Sequence, residues 1–151
     1  MRYVLVDRFL ELEKGKRARA VKCVTLGEPF LRDLPAYPSA LVLEALLQTG
    51  GVLARATAGP GRTSVLGKVN RAEFPAECHP GDRIDLEVTA LLSRPDGTLC
   101  EGTATVDGKL VGRAEFMIIF LPPELAPSPN EAVRERRRQL MRALRVPVEE
   151  K

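Results

Sequence analysis

The sequence has no tryptophan, one histidine (His79) and three cysteines (Cys23, Cys78 and Cys100) in 151 residues. Each scarcity closes off a class of chemistry. A single histidine cannot build a multi-histidine metal centre, and no Cys-x-x-Cys pair substitutes for one, so no metal is expected. Three widely spaced cysteines do not form a disulfide framework, and reduced thiols in a cytoplasmic protein are expected instead. No glycine-rich phosphate motif is present, and no cofactor is expected. Charges at Arg2, Asp7 and Arg8 interrupt the N-terminal apolar stretch, which is therefore not read as a signal peptide. No apolar run is long enough to span a bilayer, so no membrane partner is expected. The net charge of +3 is too small to predict nucleic-acid binding. That charge is also local. Residues 134–145 carry six arginines against one acid, Glu135, and the rest of the chain is slightly acidic.

The remaining composition is that of one folded domain, with 44% hydrophobic and 28% charged residues. Residues 4–13 and 17–25 alternate between apolar and polar around Lys14-Gly15-Lys16, which predicts a hairpin. Residues 26–38 hold three prolines and a glycine and read as a loop. Ser39 is expected to cap a helix that is apolar nearly all round and therefore buried. Glu44 and Gln48 are polar exceptions on it, four residues apart and so on one face. Gly50-Gly51 costs about 1 kcal/mol per residue in a helix interior, which predicts close approach of another backbone. Strands are expected near 64–74, 83–93, 98–106 and 109–120, separated by Pro80-Gly81-Asp82, Pro95-Asp96-Gly97 and Asp107-Gly108. The segment 112–121 is apolar enough to predict a central strand covered on both sides. The fold class is α+β, with a curved antiparallel sheet around one long helix. Residues 1–121 form the domain, 122–129 a linker, and 130–145 a basic helix capped by Asn130.

Four blocks carry a family resemblance in order: residues 5–30, 41–51 (LVLEALLQTGG), 72–88 (AEFPAECHPGDRIDLEV) and 102–118. The chain resembles the hotdog-fold 3-hydroxyacyl-(acyl-carrier-protein) dehydratases of bacterial fatty-acid synthesis. The resemblance implies a homodimer, or a higher oligomer of dimers, acting on an acyl thioester of a carrier protein or coenzyme A. It also implies a two-chain site in which a loop histidine and a helix carboxylate move protons, while helix N-terminal amides polarise the thioester carbonyl.

Glu44 matches the helix acid, and Gln48 its hydrogen-bonding support. The loop departs from the family pattern. Where Gly-His-Phe-Pro belongs, this chain reads Leu31-Arg32-Asp33-Leu34-Pro35, about four residues short and without histidine. Asp33 is the candidate second carboxylate. Leu34, Tyr37 and Phe74 are candidate substrate contacts, and His79 is expected on the surface, away from the cleft. Three functions follow: an acyl-thioester binder without efficient dehydration, a thioesterase using Glu44, or a non-catalytic subunit paired with a histidine-bearing relative.

Overall fold

A computed structural model describes residues 3–29, 31, 33–126 and 131–147. The elements are β1 (Arg8–Glu13), β2 (Arg17–Cys23), α1 (Ser39–Ala58), β3 (Ser64–Glu73), β4 (Arg83–Arg94), β5 (Gly97–Val106), β6 (Lys109–Phe120) and α2 (Glu131–Ala143). All six strands join one antiparallel sheet in the order β1-β2-β4-β5-β6-β3, and its concave side holds α1. The connections β4-β5 and β5-β6 are tight hairpins, set by Pro95-Asp96 and Asp107-Gly108. Asp107 and Gly108 both adopt positive φ, which suits the right-handed twist of the flanking strands.

The α+β arrangement and the strand positions expected from the pattern are present, with three local differences. Pro38, not Ser39, occupies the N-cap position, and no side chain caps the helix. The Pro38 carbonyl instead accepts the Leu41 and Val42 amides at 2.9 and 3.3 Å, because Tyr37 is already fixed by its backbone bridge to Cys78. Gly50 admits a ring rather than a backbone. A Cβ there would lie 2.6 Å from Phe116 Cε2, so the fully buried Phe116 occupies the notch. Finally, β6 is central but covered on one side only. Ala114, Phe116 and Ile118 are buried against α1, whereas Met117 on the opposite face is 39% exposed. Side chains alternate across a strand, and α1 covers a single face of the sheet.

The segment before β1 does not extend the hairpin. Residues 3–6 run along α1, where Leu5 and Val6 are buried. After α2 the chain returns to the core through Leu144, whose carbonyl accepts the Phe9 amide at 2.8 Å. One outward amide of β1 is thereby satisfied, and β3 lies at the opposite, open margin of the sheet. The expected cap at Asn130 and residues 127–129 of the expected linker lie outside the described residues.

All three cysteines are free thiols. Cys100 is buried between sheet and helix, and burial pushes its thiol up to about 12. Burial, with a smaller push from Asp82, takes Cys78 to about 11. Both shifts favour the neutral thiol in the folded state. Their stabilisation is complete below the unfolded thiol range and is lost as pH rises from about 9 through the folded values. One thiol, exposed Cys23, is therefore expected to react rapidly with a disulfide reagent at pH 8. Cys78 and Cys100 should follow only at the unfolding rate, a sequence that reagent stoichiometry over time would check.

Candidate active site

A cleft of about 430 Å³ opens where the loop after β2 meets the N-terminal end of α1. Leu34, Tyr37, Ser39 and Val42 form one wall, and Phe74, Glu77 and Cys78 another. Local sequence explains how these segments meet. Pro35 and Pro38 hold the loop extended, and the Tyr37 amide donates to the Cys78 carbonyl at 2.7 Å, closing a two-residue ribbon across the cleft floor. Gly112 of β6 lies beneath it. A Cβ there would stand 3.2 Å from both Phe74 and Val42, so the bare backbone lets Phe74 lie against the helix.

Behind the loop, Lys22 is buried, hydrogen-bonds Glu28 and stands 3.8 Å from Asp7. Its ammonium is 6.0 Å from the centre of the Tyr37 ring. This charged cluster fixes the back of the loop, because a buried cation keeps its partners close. Tyr37 Oη is buried and meets no protein partner among the described residues. Burial, reinforced by Glu28 and Asp7, holds the phenol above its usual range, so it remains protonated and is no base.

The first turn of α1 supplies the cleft's polar end. The Ser39 and Ala40 amides precede the first intrahelical bonds and carry the helix's partial positive charge. A thioester carbonyl oxygen placed there would be polarised without any side chain.

Glu44 does not line this cleft, nor do Gln48 and Asp33. Glu44 is half-buried on a different face of α1, and its Oε1 accepts a hydrogen bond from Gln48 Nε2 at 3.1 Å. The same nitrogen reaches the Tyr3 carbonyl at 3.1 Å, and Gln48 Oε1 accepts the Leu5 amide at 3.0 Å. One buried amide thus orients the carboxylate and ties down the N-terminal segment. Replacing Gln48 with leucine leaves the Leu5 amide unpaired and should destabilise the fold by about 2 kcal/mol. A lowered Tm, together with faster tryptic cleavage at Arg8, would register both consequences.

Asp33 is exposed, whereas Leu34, Tyr37 and Phe74 do line the cleft. His79 is on the surface as expected, with Nε2 3.5 Å from Glu77, but it is nearer the cleft than its turn implied. Its neighbours Glu77 and Cys78 are lining residues, brought in by the Tyr37–Cys78 bridge. Sequence reading missed both, because that bridge joins segments about forty positions apart and leaves no local pattern. Among the described residues, no group of histidine, cysteine or acidic side chains is placed to hold a metal. No helix there is long and apolar enough to cross a membrane.

A six-stranded antiparallel sheet curved around one long helix, with a cleft at the helix N-terminus, defines a hotdog-fold protein. Solved structures agree in fold. A Streptococcus mutans protein bound to acetyl CoA superposes with a TM-score of 0.68 at 15% identity, over 80% of this chain and 93% of that one. The dehydratase heterocomplex ApeI:P from Xenorhabdus doucetiae gives 0.71 at 15% identity, over 80% and 85%. Residues 1–115 match the FabA-like domain, and the chain belongs to that family. It is 40% identical over 126 residues to a 3-hydroxyacyl-[acyl-carrier-protein] dehydratase FabZ of Syntrophotalea carbinolica, covering 80% of this chain and 86% of the relative. The FabZ of Erwinia tasmaniensis is 40% identical over 122 residues, covering 76% and 81%.

Proposed function

We propose that this protein binds acyl thioesters in the cleft beside the α1 N-terminus and does not dehydrate 3-hydroxyacyl thioesters efficiently. The carrying observation is the chemistry of the cleft wall. Dehydration removes a proton from the carbon next to the carbonyl and delivers one to the departing hydroxyl. A base poised near neutrality does this best. No lining residue is a histidine; Cys78 and Tyr37 are both held protonated, and Glu77 is exposed at the rim. What remains is an apolar slot for an acyl chain and a set of amides for its carbonyl.

Glu44 enters this reading from a second copy of the chain. It lies outside its own cleft, and Leu41, Leu43 and Leu47 around it are only partly buried, a helix face that one sheet leaves incompletely covered. Pairing of the open β3 strands would extend the sheet and remove its exposed margin. A homodimer is therefore expected from sedimentation analysis. The decisive assay follows enoyl thioester formation from 3-hydroxyoctanoyl-CoA and from its carrier-protein counterpart. Micromolar binding with turnover at least about a hundredfold below that of a histidine-bearing relative supports the proposal. Turnover equal to that relative's would refute it.

A second reading rests on Glu44 itself. A carboxylate oriented by Gln48, together with the helix amides, is sufficient for thioester hydrolysis, by activating water or attacking the carbonyl. Release of free thiol from an acyl-CoA panel, lost in Glu44→Ala, would establish it. The same two-chain division would let the protein serve as a subunit beside a histidine-bearing relative, keeping one competent half-site. Co-expression that recovers only homodimers counts against that arrangement.

A further inference from the structure

The convex face of the sheet, away from α1, carries a polar row across four strands. Thr89, Glu101, Glu115 and Arg71 are successive register partners on β4, β5, β6 and β3. This is what a sheet face turned to water requires. Toward the β4-β5 hairpin the same face becomes apolar. Leu92, Leu99 and Met117 lie side by side on β4, β5 and β6, and Ile119 and Val65 lie side by side on β6 and β3. Leu92 is 49% exposed, Met117 39% and Val65 38%. A contiguous apolar patch with a polar rim marks a contact surface.

The patch is hollowed into a groove of about 310 Å³ that runs past the bare backbone of Gly97. A Cβ on Gly97 would lie 2.6 Å from the Ile118 carbonyl oxygen, so no side chain fills this position. Arg94 and Asp96 also line the groove, and neither forms an ion pair among the described residues. β2 pairs with β4 no further than Thr89, so residues 91–94 keep an open backbone edge beside the groove.

We propose that this groove is a self-association surface, on which two copies of the chain pack their convex faces together about a two-fold axis. Charge selects a second copy as the occupant. A two-fold contact must be self-complementary. The groove holds one unpaired cation and one unpaired anion two residues apart, so Arg94 of each protomer meets Asp96 of the partner subunit. A lipid surface fits poorly, because Asp96 in the groove and Glu101 and Glu115 beside it repel anionic headgroups. Five apolar side chains are a small patch against the roughly 800 Å² per partner of a standard interface, so the association is reversible and follows protein concentration. It is distinct from pairing through β3, and the unit that doubles is whatever assembly exists in dilute solution. The groove shares no residue with the cleft, so ligand binding does not depend on it.

Sedimentation of the full chain over a wide concentration range tests this. The wild-type mass is expected to double as concentration rises, while Leu92→Glu and Met117→Glu keep the dilute mass throughout. Arg94→Asp, which sets like charges against each other, should also hold the dilute mass. Arg94→Asp/Asp96→Arg exchanges the signs and should restore doubling. Octanoyl-CoA binding should be the same in every variant. Circular dichroism verifies folding, and Leu92→Ser replaces Leu92→Glu if that one misfolds. A wild-type mass that neither changes with concentration nor falls in either glutamate variant overturns the proposal, as does failure of the charge exchange to restore doubling. So does capture of phosphatidylcholine vesicles by wild type that Leu92→Glu abolishes without any change in mass, which would assign the patch to lipid. A dilute unit that is monomeric counts against β3 pairing and leaves the groove's role standing.

Discussion

Glu44→Gln is expected to lower any thioester turnover by about a hundredfold or more while leaving the fold intact. The substitution is well matched to the site. Gln48 donates to Glu44 Oε1, and a glutamine at position 44 offers its amide oxygen to the same donor. Tm should therefore shift little, and octanoyl thioester affinity should stay within about threefold, because position 44 is outside its own chain's cleft. What disappears is the ability to accept or donate a proton, or to attack a carbonyl. Mixed dimers provide a further check. A protomer carrying Glu44→Gln, paired with one whose cleft is blocked by Val42→Trp, places the intact acid and the intact cleft in different chains. If Glu44 serves the partner's cleft, this dimer retains half of the sites, whereas wild type paired with a chain carrying both substitutions retains none. Turnover of purified Glu44→Gln equal to wild type would remove the residue from the chemistry altogether.

Gly50→Val should be the most damaging single substitution for the fold. The first added carbon alone would fall 2.6 Å from the Phe116 ring, and Phe116 is fully buried between Gly50 and Gly102 with no direction in which to retreat. Overpacking of this kind costs about 3 kcal/mol, which for a chain of this length lowers Tm by roughly 10 °C. Phe116→Leu creates space, at the expense of a cavity worth about 2 kcal/mol. The two substitutions touch the same atoms, so their effects should not add. Gly50→Val/Phe116→Leu is expected to be more stable than the sum of the single losses by about 1 kcal/mol or more. Additive losses, measured by urea unfolding at one protein concentration, would show that the notch does not govern the packing of α1.

The two experiments probe different levels of legibility. The long helix, its polar pair Glu44 and Gln48, and every strand were readable, because each depends on short-range rules: a period of two for strands, a continuous apolar run for α1, and Asp-Gly or Pro-Gly turns between them. The role of Gly50 was only half readable. A glycine inside a helix announces a close neighbour, but that the neighbour is the Phe116 ring follows from the sheet register. The cap was misplaced by one residue because the Tyr37–Cys78 bridge, not serine's intrinsic preference, sets where the helix begins. Glu77 and Cys78 escaped as cleft residues for the same reason, while Asp33, which looked usable in the loop, is turned to solvent.

By itself the sequence determined the α+β arrangement of a curved sheet on one long helix, the lone histidine outside the loop, and the isolation of Glu44 in an apolar helix, since composition and local periodicity fix these wherever the chain folds; the hotdog class came from the family resemblance of its four blocks. Only the tertiary structure decided which residues share a cleft and that Glu44 lies outside its own. Those relations join positions tens of residues apart. They are settled by how the sheet curves around α1 and by the Tyr37–Cys78 bridge, and no short stretch of sequence encodes either.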